Sequence, residues 1–179
     1  MTAPIMIPAW IDGELTPVEK LEAHQRGLRH KAISVFLLDG DRTLIQKRAA
    51  GKYHTPGLWA NACCTHPDWN EASDACAVRR LREEIGLIGV SLKYADQVEY
   101  RADVGGGLIE HEVVDIFRAR GSIASTRFDL NPDEVEAVRW VPLAELDREI
   151  AETPEAFTPW LRIYMAEHRE RILGELTPA

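Results

Sequence analysis

The sequence predicts a single α/β (α+β) domain built on a mixed β-sheet, and three observations lead there. Its 179 residues suffice for one core that closes without staples. Strand-like runs fall before, between and after helix-like runs, which favours a mixed sheet over a doubly wound parallel one. No internal repeat or low-complexity tract divides the chain.

Residues 1–18 read as an N-terminal lead-in, 19–173 as the domain and 174–179 as a C-terminal tail. Lys31 to Leu38 is rich in strand-favouring residues and stops at Asp39-Gly40, a strong hairpin signal, with Thr43 to Arg48 as the returning strand. Ala49 to Thr65 reads as loop, punctuated by Gly51, Pro56 and Gly57 and anchored by Leu58, Trp59 and Ala60. Glu71 to Ile85 predicts a helix, because Ala77, Val78, Leu81 and Ile85 recur at helical spacing and Gly86 fits a C-terminal cap. Val90 to Arg101 and Ile109 to Arg118 are strands flanking the Gly105-Gly106-Gly107 turn. Glu136 to Val141 is a short strand closed by Pro142, and Leu143 to Ile150 a short helix. Thr158 and Pro159 then suit the N-cap and first turn of a terminal helix through about Ile172.

Composition removes whole classes of function. A net charge of -8 argues against a general nucleic-acid binder, which needs a basic face to displace counterions from phosphates. Any anionic ligand should be small and met by a local basic cluster. No apolar run reaches membrane-spanning length, and Met1 to Asp12 lacks the features of a secretory signal, so a cytoplasmic location is expected. Three cysteines, two of them adjacent, point to reduced thiols rather than a disulfide framework. Nothing in the sequence fixes an oligomeric state.

Chemistry concentrates in a few places. Cys64 and His66 lie two residues apart in Asn61-Ala62-Cys63-Cys64-Thr65-His66-Pro67. Glu110 and Glu112 share a strand face by their spacing, which is costly unless a cation or a shared proton relieves the repulsion. An exposed polar strand face accounts for that spacing equally well. His24, His30 and His66 could join the glutamates around zinc, manganese or magnesium. His54 and His111 are set aside, His111 because a strand would point it to the opposite face. The helix from Glu71 carries Arg79, Arg80, Glu83 and Glu84, with Arg48, Lys52 and Lys20 elsewhere in the chain. These residues read either as a solvated face laced with charge pairs or as a diphosphate site bridged by a metal ion.

Glu71, seven residues, then Arg79-Arg80-Leu81-Arg82-Glu83-Glu84-Ile85-Gly86-Leu87 resembles the Nudix signature, with Thr65 where its glycine belongs and Arg80 where its second glutamate belongs. Those departures are similar to the type I isopentenyl-diphosphate delta-isomerases. That likeness continues through Arg29-His30-Lys31-Ala32, Gln46-Lys47-Arg48-Ala49, Pro56-Gly57-Leu58-Trp59, Glu99-Tyr100-Arg101-Ala102, Glu110-His111-Glu112 and Ala156-Phe157-Thr158-Pro159-Trp160. The resemblance implies a Nudix-like mixed sheet sandwiched by helices and interconversion of isopentenyl and dimethylallyl diphosphates in isoprenoid biosynthesis. It implies catalytic Cys64 and Glu112, assisted by Tyr100, with Trp160 facing the reacting carbons. It further implies a metal site of His24, His30, His66, Glu110 and Glu112 holding Mn2+, Zn2+ or Mg2+, and a substrate-borne Mg2+ at Glu84. Lys20, Arg48, Lys52, Arg79 and Arg80 would hold the diphosphate, and no organic cofactor is needed. Two alternatives stand beside this reading: a Nudix pyrophosphohydrolase and a non-catalytic Nudix-fold binding module.

Overall fold

The computed structural model describes residues 4–174. Its elements run β1 (Met6–Ile11), β2 (Glu14–Glu19), α1 (Lys20–Arg26), β3 (His30–Asp39), β4 (Arg42–Arg48), β5 (Trp59–Asn61), β6 (Cys63–Thr65) and α2 (Ser73–Ile85). They continue with β7 (Leu92–Gly105), β8 (Leu108–Arg120), β9 (Val135–Pro142), α3 (Leu143–Glu152), α4 (Pro159–Glu167) and α5 (Arg169–Leu173). The strands form one mixed sheet organised around β3, which runs parallel to β8 and antiparallel to β1, β4 and β6. β7 extends β8, while β5 and β9 flank β4, all antiparallel. The mixed sheet is as the sequence predicts.

Alternation along β3 assigns its two faces. Ala32 and Phe36 pack with Val114, Ile116, Trp160, Leu161 and Tyr164 under α3, α4 and α5. Ile33, Val35 and Leu37 pack with Ala77, Leu81, Ile85 and Phe117 under α2. Adjacent Cys63 and Cys64 divide between these layers, Cys63 toward α2 and Cys64 toward α4.

Several boundaries differ from the sequence reading. The segment taken as a lead-in contains the β1–β2 hairpin, whose Ala9 pairs with His30 and whose Ile7, Ala9 and Val18 pack on Ala23; residues 1–3 of that lead-in and 175–179 of the predicted tail lie outside the described residues. The stretch read as loop from Ala49 to Thr65 holds β5 and β6, three residues each, too short for an alternating pattern to emerge. α2 starts at Ser73, because Glu71 turns its carboxylate back to the Asp68 amide. Val78 is 50% exposed, and Cys76 takes its place on the buried stripe. The terminal helix breaks at His168 (φ -127°, ψ 7°), and the Thr158 hydroxyl makes no capping bond despite its N-cap backbone conformation.

Gly86 caps α2 in the left-handed conformation (φ +69°), its amide bonding Arg82 O while the Leu87 amide bonds Leu81 O. The amides of Asp129 and Asn131 then bond Ile85 O and Glu84 O, both at 3.0 Å. A Cβ on Gly86 would meet Asp129 Cβ at 2.6 Å and its backbone nitrogen at 2.8 Å. Gly86→Ala should therefore lower stability by about 1–3 kcal/mol, read as a lower urea midpoint, because both the positive φ and the docked segment resist a methyl group. That segment leads directly to Glu134.

Candidate active site

Register along β3 assembles the site. Cys64 lies opposite Ser34 and Glu112 opposite His30, while Tyr100 pairs with Glu112 and Ala102 with Glu110. Strands on either side of β3 thus carry Cys64 and Glu112 to one cleft, which Tyr100, Glu110 and Trp160 also line. His111 falls on the other side of β8, bonded to Glu99, as its odd position requires.

His24, His30, His66 and Glu112 are all buried and place donor atoms within 4.8 Å of one another. Backbone carbonyls fix two of the imidazoles: His24 Nδ1 donates to Lys20 O and His30 Nδ1 to Leu28 O, each at 2.7 Å. Both therefore turn Nε2 inward, and that of His24 is buried with no hydrogen-bond partner. His30 Nε2 and His66 Nε2 approach to 3.2 Å, with Glu112 Oε1 2.8 Å from His66. Burial and the neighbouring His30 push His24 down to about 4, so at neutral pH it offers a lone pair. An inward-facing orphan lone pair, clustered imidazoles and a carboxylate are the donor set of a divalent transition-metal site. These residues fit such an ion.

Glu110 lies 3.5 Å from His54 Nε2 and forms a second potential ligand group with His24 and His54. The Tyr100 hydroxyl lies 2.7 Å from both Glu110 Oε2 and Glu112 Oε2. One phenolic proton cannot serve two carboxylates, so a second proton or cation must join them. Burial and the Glu112 charge raise Glu110 well above the usual carboxylate range. Glu112, although buried, is held well below it by His30 and His66.

Cys64 donates its S–H to Asn61 Oδ1 at 2.9 Å and meets Ser34 Oγ at 2.8 Å, which in turn meets the Tyr164 hydroxyl at 3.1 Å. The Asn61 amide nitrogen is spent on Val35 O and Cys63 O, which turns its oxygen to the thiol. Burial raises the thiol's pKa further above its ordinary value, keeping it protonated.

At the rim Lys20, Arg48, Lys52 and Arg80 converge on the cleft. Burial, then the neighbouring charges of Lys52 and Arg80, lower Lys20 to about 8. Arg80 spans Glu84 at 2.8 Å and Glu134 at 3.3 Å, and Lys52 reaches Glu134 at 2.6 Å. Gln46 Nε2 holds the other oxygen of the buried Glu84 at 3.1 Å. Arg79 forks its guanidinium onto Glu71, 2.7 Å from each carboxylate oxygen, and reaches Glu83 at 3.0 Å; it lines the adjoining groove together with Lys20, Lys52, His66 and Arg80. Glu71 is thereby paired with Arg79, while Glu83 is shared between Arg79 and Arg80. The Arg80 guanidinium stands among Glu83, Glu84 and Glu134, at 3.1, 2.8 and 3.3 Å, so a cation rather than a further carboxylate occupies the middle of that group.

The Nudix domain pattern matches residues 28–161. An isopentenyl-diphosphate delta-isomerase of Cereibacter sphaeroides is 67% identical over 177 residues, covering 97% of each chain. The chain belongs to the isopentenyl-diphosphate delta-isomerase family of Nudix proteins. Family members from Dinoroseobacter shibae and Ruegeria pomeroyi are 63% and 55% identical, over 94% and 95% of this chain and 96% and 94% of their own. The fold is shared more widely: a MutT Nudix hydrolase from Burkholderia pseudomallei superposes with a TM-score of 0.61 at 23% identity, over 78% of this chain and 98% of its own.

In this family member several residues in or beside the cleft carry no signal in the sequence. His54, which its loop position gives no reason to single out, is buried against Glu110 and stacks on His24. Ser34, Asn61 and Tyr164 hold Cys64 through contacts of widely separated residues, and no local pattern announces them. Glu134 arrives on an irregular segment, and its preceding turn signal, Asn131-Pro132-Asp133, marks a loop rather than a ligand.

Proposed function

We propose that this chain interconverts isopentenyl and dimethylallyl diphosphates by adding a proton at one carbon and removing one from another, serving isoprenoid synthesis in the cytoplasm. The observation that supports this best is the convergence of Cys64 and Glu112 on one buried cleft with a cationic rim. Lys20, Arg48, Lys52 and Arg80 receive the diphosphate, and Glu84 receives the Mg2+ that travels with it. The five-carbon skeleton then lies inward, between thiol and carboxylate. Protonating an unactivated alkene produces a tertiary carbocation, so acid and base must flank the skeleton and water must be kept out. Cys64 and Glu112 are that pair, and which of them acts as acid follows the direction of reaction. Tyr100 holds Glu112 and carries a proton between it and Glu110.

His24, His30, His66, Glu110 and Glu112 hold one Mn2+, Zn2+ or Mg2+. A bound divalent ion would fix the Glu112 carboxylate and set its basicity. No organic cofactor enters. The remaining partners are the small diphosphates themselves, with neither nucleic acid nor membrane involved; among the described residues no helix is long and apolar enough to cross a membrane.

Trp160 is 2% exposed and lines the cleft, with the Arg48 guanidinium 5.3 Å from its ring centroid and His54 against it edge-on. An indole face left open to the cleft can stabilise a carbocation through its quadrupole, by about 2 kcal/mol when desolvated. Trp160→Phe should accordingly keep more of the wild-type kcat than Trp160→Ala. Equal losses would count against cation stabilisation.

Incubation with isopentenyl diphosphate and Mg2+ in heavy water tests the activity directly. Deuterium in dimethylallyl diphosphate is the expected result. Phosphate release would instead indicate a hydrolase, and recovery of unlabelled substrate a binding module.

A further inference from the structure

His54 stands on the loop between β4 and β5, and that loop is held tightly. Arg48 donates from Nε and Nη2 to the carbonyls of Thr55 and His54, both at 3.2 Å, and the Gly57 amide bonds Arg48 O at 3.0 Å. Thr55 has φ +46°, a region that a β-branched residue occupies only under constraint, at a cost of about 1–3 kcal/mol. The constrained turn aims His54: Thr55 Oγ1 meets its Nδ1 at 3.1 Å, leaving Nε2 to face Glu110 Oε1 at 3.5 Å. The ring lies nearly parallel to that of His24, with centroids 5.5 Å apart and planes at 25°.

His24, His54 and Glu110 place donor atoms within 4.8 Å of one another, and all three residues are buried. The His54–Glu110 approach is too long for a good hydrogen bond. Neighbouring and opposed ligands of a divalent ion bonded at about 2.1 Å lie about 3 to 4 Å apart, which is the spacing a cation would close. His24, whose Nε2 is buried and without a hydrogen-bond partner while its Nδ1 is spent on Lys20 O, is common to this group and to the one formed with His30, His66 and Glu112. Its single lone pair can serve one ion at a time, so the two groups describe one centre.

We propose that His54 is a further ligand of that same divalent cation, giving this chain a fourth imidazole donor beside His24, His30 and His66. Four imidazoles favour Zn2+ over Mg2+, which prefers oxygen ligands and gives up water reluctantly. The inference rests on the metal centre proposed above, and the experiment separates the two.

Full-length protein, stripped with a chelator, is titrated with Zn2+ as wild type, His54→Ala, His54→Gln and His66→Ala, and the zinc-loaded forms are examined by X-ray absorption. Both His54 variants should bind Zn2+ about tenfold or more weakly, with one fewer imidazole in the zinc shell. Circular dichroism on the same samples confirms that they are folded, and His54→Gln keeps a polar side chain of similar reach should the alanine variant fail to fold. An unchanged imidazole count in a folded His54 variant would overturn the assignment of His54. If that happens while His66→Ala still loses zinc, the centre stands without His54; if neither position affects binding, the centre itself falls.

Discussion

Cys64→Ala should give a folded protein whose isomerase turnover is lower by about a thousandfold or more, the scale set by losing a positioned acid–base group. The prediction separates chemistry from stability because the surroundings of Cys64 have other bonds. Ser34 keeps Tyr164, and the Asn61 amide keeps Val35 O and Cys63 O. Only the Asn61 carbonyl oxygen and one side of the Ser34 hydroxyl lose a partner, beside a cleft that a water can enter, so the fold should lose about 1 kcal/mol. Metal binding should not change, since the thiol is outside the His/Glu group. Turnover measured beside a thermal melt and a metal titration tests all three statements. Near wild-type turnover would remove Cys64 from the mechanism.

Glu112→Gln should lose as much turnover and should weaken the metal as well. The amide is isosteric and can still bond Tyr100, but it neither takes a proton at neutral pH nor carries the charge that His30 and His66 face. Its Nε2 donors could turn toward two imidazole nitrogens, yet they cannot supply the anionic ligand a divalent ion prefers among neutral donors. The paired readout distinguishes it from Cys64→Ala: both variants lose turnover, but only the change at Glu112 lowers affinity for Zn2+ or Mn2+. A glutamine variant retaining turnover would exclude Glu112 as an acid–base group.

Most of this architecture was legible because its signals are local. The Leu81–Ile85 stripe with Gly86, the hairpin at Asp39-Gly40 and the two-residue spacing of Glu110 and Glu112 each express a backbone period or a turn preference within a few positions. Cys64, His66, Glu112 and Trp160 followed from motif resemblance, and the structure brings their side chains to one cleft. What stayed hidden depends on distant partners. His54 looks like any loop histidine until β8 and α1 bring Glu110 and His24 to it. Arg79 and Arg80 are neighbours in sequence and chemically alike, yet helical rotation sends one to Glu71 and the other to Glu84 and Glu134. β1 and β2 escaped notice because Pro8 and Pro17, facing each other in the register, weaken the strand signal.

The opposed orientations of Cys63 and Cys64 have a practical consequence. Cys63 and Cys76 are fully enclosed in the layer beneath α2, so to a small electrophile arriving from solvent the folded chain presents a single thiol, that of Cys64. With its proton held by burial, that thiol should react slowly at neutral pH and faster in alkali. An alkylating reagent thus becomes a gauge of cleft occupancy without any engineered label, since bound diphosphate would slow the labelling and unfolding would raise the modified count from one cysteine to three.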